Sequence, residues 1–115
     1  MFAETTDTSL IPLKMSSSIV SLDQFVEGWT LARFEGEADP AAKQFEYWVS
    51  FDSPFANVPL VHVGLVGFDI DNRDTARVKV RTERMTANGF MLVIETWRHT
   101  RVYGVDVSWL ALGHA

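Results

Sequence analysis

Trp97, Arg98 and Tyr103 crowd into the stretch NGFMLVIETWRHTRVYGVDVSWLA, residues 88–111. An indole, a guanidinium and a phenol beside one reversal of the chain make a small polar binding site. A sugar presents a face of C–H groups that stacks on an aromatic ring, and hydroxyls that need oriented donors and acceptors. The competing reading makes Trp97 a core or interface aromatic and Arg98 a solvated turn residue, and residue types alone favour it. Arg77 follows the acidic segment 69–74 and opens an alternating run. Its fork of N–H donors can hold ligand oxygens. The alternative is a solvated face shared with Lys79 and Arg81, which the pattern favours.

Other chemistry finds less support. Asp69, Asp71 and Asp74 invite a calcium reading, but the segment lacks the glycine and terminal glutamate of a calcium-binding loop. It reads instead as an exposed acidic loop. His62, His99 and His114 form no metal-ligand pattern; His62 reads as a packed strand residue, and His99 can lend a hydrogen bond to its turn. No GxSxG, P-loop or GxGxxG occurs, and no carboxylate pair is marked as acid and base. Catalysis is therefore a minority reading, no cofactor is expected, and the chain is expected not to be an enzyme.

The elements that must position Trp97 and its neighbours come from 115 residues, enough for one sandwich or barrel core. Nearly half the residues are apolar and none is cysteine, so no disulfide framework or thiolate metal site supports the fold. The formal charge of −5 is uneven: residues 1–52 carry nine acids and three bases, residues 53–115 six acids and seven bases. That split argues against a nucleic-acid surface and permits head-to-tail contact between subunits. No apolar run is long enough to span a bilayer, so membrane insertion is not expected. The start MFAETTDTSL lacks the features of a secretory signal. The expected location is cytoplasmic, or outside by a non-classical route.

Residues 1–18 read as an N-terminal arm, with Ile11-Pro12-Leu13 as a docked segment, and residues 19–115 as the domain. Ser16 to Phe34 is ambiguous: Ile19, Leu22, Phe25, Val26 and Trp29 have some helical spacing, while Gly28 and the β-branched residues resist it. Trp29 is expected to be an anchor. Residues 36–41 read as a loop by their Gly, Asp and Pro. Phe45, Tyr47, Val49 and Phe51 alternate with Glu46, Trp48 and Ser50, which predicts a half-buried strand. Leu60 to Phe68 is apolar enough for a central strand. Arg77–Arg84 alternates again, Asn88-Gly89 signals a hairpin, and Phe90–Trp97 and Val102–Leu112 complete the set. Five strong strands, six with one from residues 19–34, imply an all-β, antiparallel β-sandwich.

The stretches SFDSPF, PLVHVGLVGFDID, ARVKVR, TANGF and ETWRHTRVYGVDVSWLALG resemble, in order and spacing, the H-type lectin domain. This is the family of a snail agglutinin and of the discoidins' C-terminal domain. TW-x-x-T followed by VSW carries most of the resemblance, and residues 1–18 lie outside it. The resemblance implies a six-stranded antiparallel sandwich assembled as a trimer or hexamer. It also implies binding of N-acetylgalactosamine and related galactose-type glycans at subunit interfaces, without a metal at the sugar site. Arg77 matches the family's arginine that bonds sugar hydroxyls. Trp97 matches an aromatic contributed by the neighbouring subunit, and Tyr103 a tyrosine lining the pocket. Arg98 stands where the snail agglutinin has histidine and other members a small residue, which points towards altered specificity for an acidic glycan. The family's upstream loop aspartate corresponds to Asp39 after a one-residue shift, with Gly36 beside it offering backbone groups. A structural or adhesion-tip subunit that keeps the fold and assembly but has lost sugar binding is the rival reading.

Overall fold

The computed structural model describes residues 12–33 and 42–115. Its elements are β1 (Leu13–Asp23), β2 (Lys43–Ser50), β3 (Leu60–Ile70), β4 (Lys79–Glu83), β5 (Gly89–Thr96) and β6 (Val102–His114). They form two three-stranded antiparallel sheets, in the orders β1-β6-β3 and β2-β5-β4. This is the all-β sandwich expected from the alternation, and no helix occurs among the described residues.

The layers meet through β5 and β6, the middle strands. Phe90, Leu92 and Ile94 of β5 and Val105, Val107, Trp109 and Ala111 of β6 are buried against one another. Phe51, just past β2, packs between them, with ring centroids 5.9 Å from Phe90 and 5.7 Å from Trp109. On β2 the inward set is Phe45, Tyr47 and Val49, but Tyr47 sits at the open flank and stays exposed. Apolar area removed from water is the main stabilising term in such a chain, which has no covalent crosslink.

β1 settles the ambiguous segment, and it does so by running across position 18. Leu13–Ser18 therefore belong to the sheet, with Leu13 opposite His114 and Asp23 opposite Gly104. The helical spacing of Ile19, Leu22 and Phe25 was accidental: Leu22 is buried, whereas Ile19 and Phe25 are exposed. Lys14 faces inward, and its ammonium donates to Ser53 O (2.6 Å) and Pro54 O (2.9 Å) while lying 4.6 Å from the centre of the Phe55 ring. After β1 the chain turns through Gly28, which adopts φ +86°, and delivers Trp29 to the core. The indole Nε1 of Trp29 donates to Val102 O at 2.9 Å, and its ring packs on Phe45. The expected anchor role thus holds.

Three expectations need correction. β3 is an edge strand rather than a central one; its partner β6 is central. Two register shifts, between Leu65 and Gly67 and between Asp69 and Ile70, bend it in the way that guards a sheet edge against wrong pairing. His62 is exposed on that strand rather than packed. β4 is shorter than Arg77–Arg84, because the Arg77 carbonyl accepts the Thr96 hydroxyl instead of joining the ladder, and Arg84 leaves the strand at φ +52°.

The β4–β5 hairpin forms where Asn88-Gly89 signals it, although neither residue takes a positive φ. Gly89 is required for space: a Cβ there would run into the Val49 carbonyl oxygen and the Trp48 ring. Gly89→Ala should cost about 1–3 kcal/mol, as overpacking does. Urea denaturation of the two proteins checks this; an unchanged midpoint would show that β2 and β5 separate freely at this pair.

Candidate functional site

The expected ligand corner lies at the end of the sandwich where β5 passes to β6. Two buried threonines bind this turn to the segment preceding β4. Thr96 donates through Oγ1 to Arg77 O. Thr100 donates to Thr75 O at 2.6 Å and accepts from Arg77 Nη1 at 3.0 Å. A buried hydroxyl needs such partners, and here they fix both the path of residues 75–77 and the direction of the Arg77 side chain. Arg77 consequently sits beside the loop carrying Trp97, Arg98 and Thr100.

Trp97 is half-buried, and Lys79 Nζ lies 5.5 Å from the centre of its ring, a cation–π approach. Lys79 also approaches Glu95 Oε1 at 3.8 Å, but Arg81 holds that carboxylate more closely, at 2.7 Å. Arg98 is exposed with φ +59°, a conformation uncommon outside glycine, asparagine and aspartate.

Tyr103 is directed elsewhere. Its phenol donates to Asp71 Oδ2 at 2.8 Å. The same carboxylate accepts from Arg73 Nε (2.8 Å), Arg73 Nη2 (2.7 Å) and the Arg73 backbone N–H (2.9 Å). Asp74 accepts from the Arg101 backbone N–H (2.8 Å), Nε (3.0 Å) and Nη2 (2.9 Å), and Arg101 Nη2 stands 3.7 Å from Asp71 Oδ1. The exposed acidic loop expected here is therefore wrong for two of its carboxylates: the Asp71 and Asp74 side chains are only 7% and 9% exposed. Among the described residues no group of three or more His, Asp or Glu side chains could hold a metal ion.

Sequence reasoning singled out Asp71 and Asp74 but missed Arg101 and the pairing of both carboxylates with arginines. The Asp71-x-Arg73 spacing, with a carboxylate accepting the backbone N–H two residues on, was the local signal available. Hydrogen bonds from Arg73 hold the Asp71 carboxyl far below its ordinary range, and those from Arg101 lower Asp74. The bond to Asp71 raises the Tyr103 phenol, since ionising it would remove the donated proton. Tyr103 also lines a hollow of about 260 Å³ with Asp23, Phe68, Asp69 and Asp106, which Arg77, Trp97 and Arg98 do not reach. The structure thus brings Arg77, Trp97 and Arg98 to one loop cluster and sets Tyr103 on the neighbouring side. Asp39 and Gly36 lie outside the described residues.

A second concavity, of about 300 Å³, opens on the flank between β1 and β2, where Ser16, Ser18, Tyr47 and Trp48 surround Trp109. The Trp109 Nε1 is buried with no hydrogen-bond partner among the described residues. No described helix is long and apolar enough to cross a membrane.

Comparison with known proteins gives four findings. A family model described as the H-type lectin domain matches residues 47–112, more than half the chain. A protein of Fuscovulum blasticum described as "ATP synthase subunits region ORF 7" is 37% identical over 71 residues, 62% of each chain. Recombinant discoidin II of Dictyostelium discoideum has a similar structure, with TM-score 0.71 and 22% identity over 90% of this chain and 38% of its own. The tailspike protein gp49 of Pseudomonas phage LKA1 is a more distant likeness, with TM-score 0.51 and 13% identity over 89% of this chain and 15% of its own. The chain therefore spans about three fifths of the curated relative, and under half of either structural neighbour.

Both aspartates are stabilised in the ionised form by the fold. Their contribution is complete above the unfolded carboxylate value of about 4 and is lost as pH falls below it, towards their depressed folded values. Thermal melts from pH 7 to pH 3 should show the wild-type midpoint falling on the acid side, and Asp71→Asn should flatten that fall. Parallel acid limbs in the two proteins would show that Asp71 adds no stability when ionised.

Proposed function

Because the chain belongs to the H-type lectin domain family, we propose that it is a carbohydrate-binding protein for N-acetylgalactosamine and galactose-type glycans. The observation that carries this reading is the cluster of Arg77 and Trp97, joined through Thr100 and Thr96 at one end of the sandwich. The indole offers an apolar plate for the C–H face of a galactose-type ring, and the guanidinium offers paired donors to its hydroxyls. Binding of this kind requires no cofactor and no bond-breaking group, and the protein acts as a lectin rather than an enzyme.

The sites lie between subunits of a trimer or hexamer; the resemblance implies that Trp97 alone crosses the interface, whereas in this reading Arg77 and Trp97 act together and Tyr103 and Asp39 complete the site. Two features support assembly. One is the separation of Tyr103 from Trp97 within a single chain. The other is the outer face of the β1-β6-β3 sheet, where the register places exposed Met15, Leu112 and Leu60 in one row, close to exposed Leu110 and Ile19. Contiguous exposed apolar surface of this kind marks contact sites. Several shallow sugar sites on one rigid oligomer would gain roughly 10²–10⁴-fold in avidity.

The rival reading is an adhesion-tip or assembly subunit without sugar binding. It draws on Lys79 lying over the Trp97 ring and on Tyr103 being engaged by Asp71, so that both aromatics already have partners.

A glycan array probed with the sized oligomer, competed with free N-acetylgalactosamine, separates the two. Signal on terminal galactose-type glycans, displaced by the free sugar, is the expected result. Trp97→Ala and Arg77→Ala should each remove that signal while size-exclusion elution stays unchanged. A blank array from the folded wild type would transfer the case to the assembly subunit.

A further inference from the structure

We infer that the Arg77–Trp97–Arg98 cluster takes galactose-type sugars bearing an anionic substituent, a carboxylate or a sulfate ester, and that Arg98 is the residue that reads it. This rests on the proposed sugar site and adds the chemical class of its ligand.

The inference comes from which charges at this end are already paired. Asp71 and Asp74 are matched by Arg73 and Arg101, and Glu83 and Glu95 by Arg81. Arg77 is bonded to the neutral Thr100 hydroxyl, and neither Arg77 nor Arg98 has a carboxylate partner among the described residues. Lys79, 61% exposed, keeps only a 3.8 Å approach to Glu95 and leans on Trp97. Lys79 lies over the Trp97 ring, Arg98 follows Trp97 in the chain and Arg77 is held on Thr100, so this loop end gathers three cations, two of them without a carboxylate partner among the described residues, in a protein of net charge −5. A neutral hexose supplies nothing to balance them. Charge-assisted bonds from a guanidinium fork to carboxylate or sulfate oxygens do so, and they are stronger than bonds to hydroxyls.

The backbone points the same way. Arg98 holds a left-handed conformation that asparagine or glycine would adopt with less strain. No hydrogen bond or ion pair within the described chain offsets that strain, which leaves the side chain free for a ligand. Arg84 supplies an internal control. It too is exposed and left-handed, at φ +52°, but it follows β4 at the opposite end of the hairpin from Trp97.

The test compares one oligomer preparation on three polymer-displayed sugars: galactose, galacturonic acid and galactose 6-sulfate. The two anionic probes separate carboxylate from sulfate recognition. At about 0.15 M salt the anionic probes should bind about tenfold more tightly than galactose, and about 1 M salt should erase most of that preference. Arg98→Asn keeps the backbone conformation and should abolish the preference; Arg98→Lys should retain part of it, and Arg84→Asn, away from the cluster, should keep all of it with galactose binding unchanged. Equal binding of the three probes, or a preference that survives Arg98→Asn, overturns the inference and leaves the sugar site standing. Binding of none overturns both.

Discussion

The contact between Phe51, Phe90 and Trp109 governs the rest of the molecule. Phe90 and Trp109 lie on the middle strands of opposite sheets, with ring centroids 5.7 Å apart, and Phe51 fills the corner between them. With no disulfide, this aromatic cluster and the aliphatic rows beyond it fix the spacing of the layers. The loops at the far end inherit that spacing. Thr96 and Thr100 can clamp residues 75–77 because β5 and β6 emerge from the core at a set distance from β3 and β4. Side chains on loops are only as well placed as the scaffold beneath them.

Much of that scaffold was legible in the sequence. β2 and β6 could be read because each buries one face, so their apolar residues recur at every second position, and β5 because a continuous apolar run, Phe90–Ile94, follows the Asn88-Gly89 turn signal. β1 could not, and its residues show why. Inward-facing Lys14, Ser16 and Ser18 are polar, while outward-facing Leu13, Met15 and Ile19 are exposed and apolar. The pattern is inverted, because this strand borders an open flank on one side and presents an apolar face to the outside on the other. β3 misled in a related way: its apolar run suggested a central strand, whereas Leu60, Val66 and Phe68 lie exposed on an edge.

The loop end was legible in part. Residue types drew attention to Arg77, Trp97 and Arg98, which the fold gathers into one cluster. The acidic segment was misread because charge type says nothing about partners: Asp71 and Asp74 are buried by arginines at positions 73 and 101, and position 101 is remote from them in sequence. Hydrogen-bonded this fully, the two carboxylates serve to stiffen the β3–β4 loop against the start of β6. Tyr103 is tied into the same lattice, so its ring is held in place by its hydroxyl.

The strand order carries a consequence for the newly made chain. Every pairing in the β2-β5-β4 sheet is satisfied once synthesis reaches Thr96. β1 and β3 have no partner except β6, and Leu13 meets His114 across nearly the whole chain. During synthesis these two strands therefore remain without a sheet until β6 arrives. Contacts of such long sequence separation slow folding. The half of the sandwich that bears the exposed apolar row is thus assembled last, after the layer that supports it has formed.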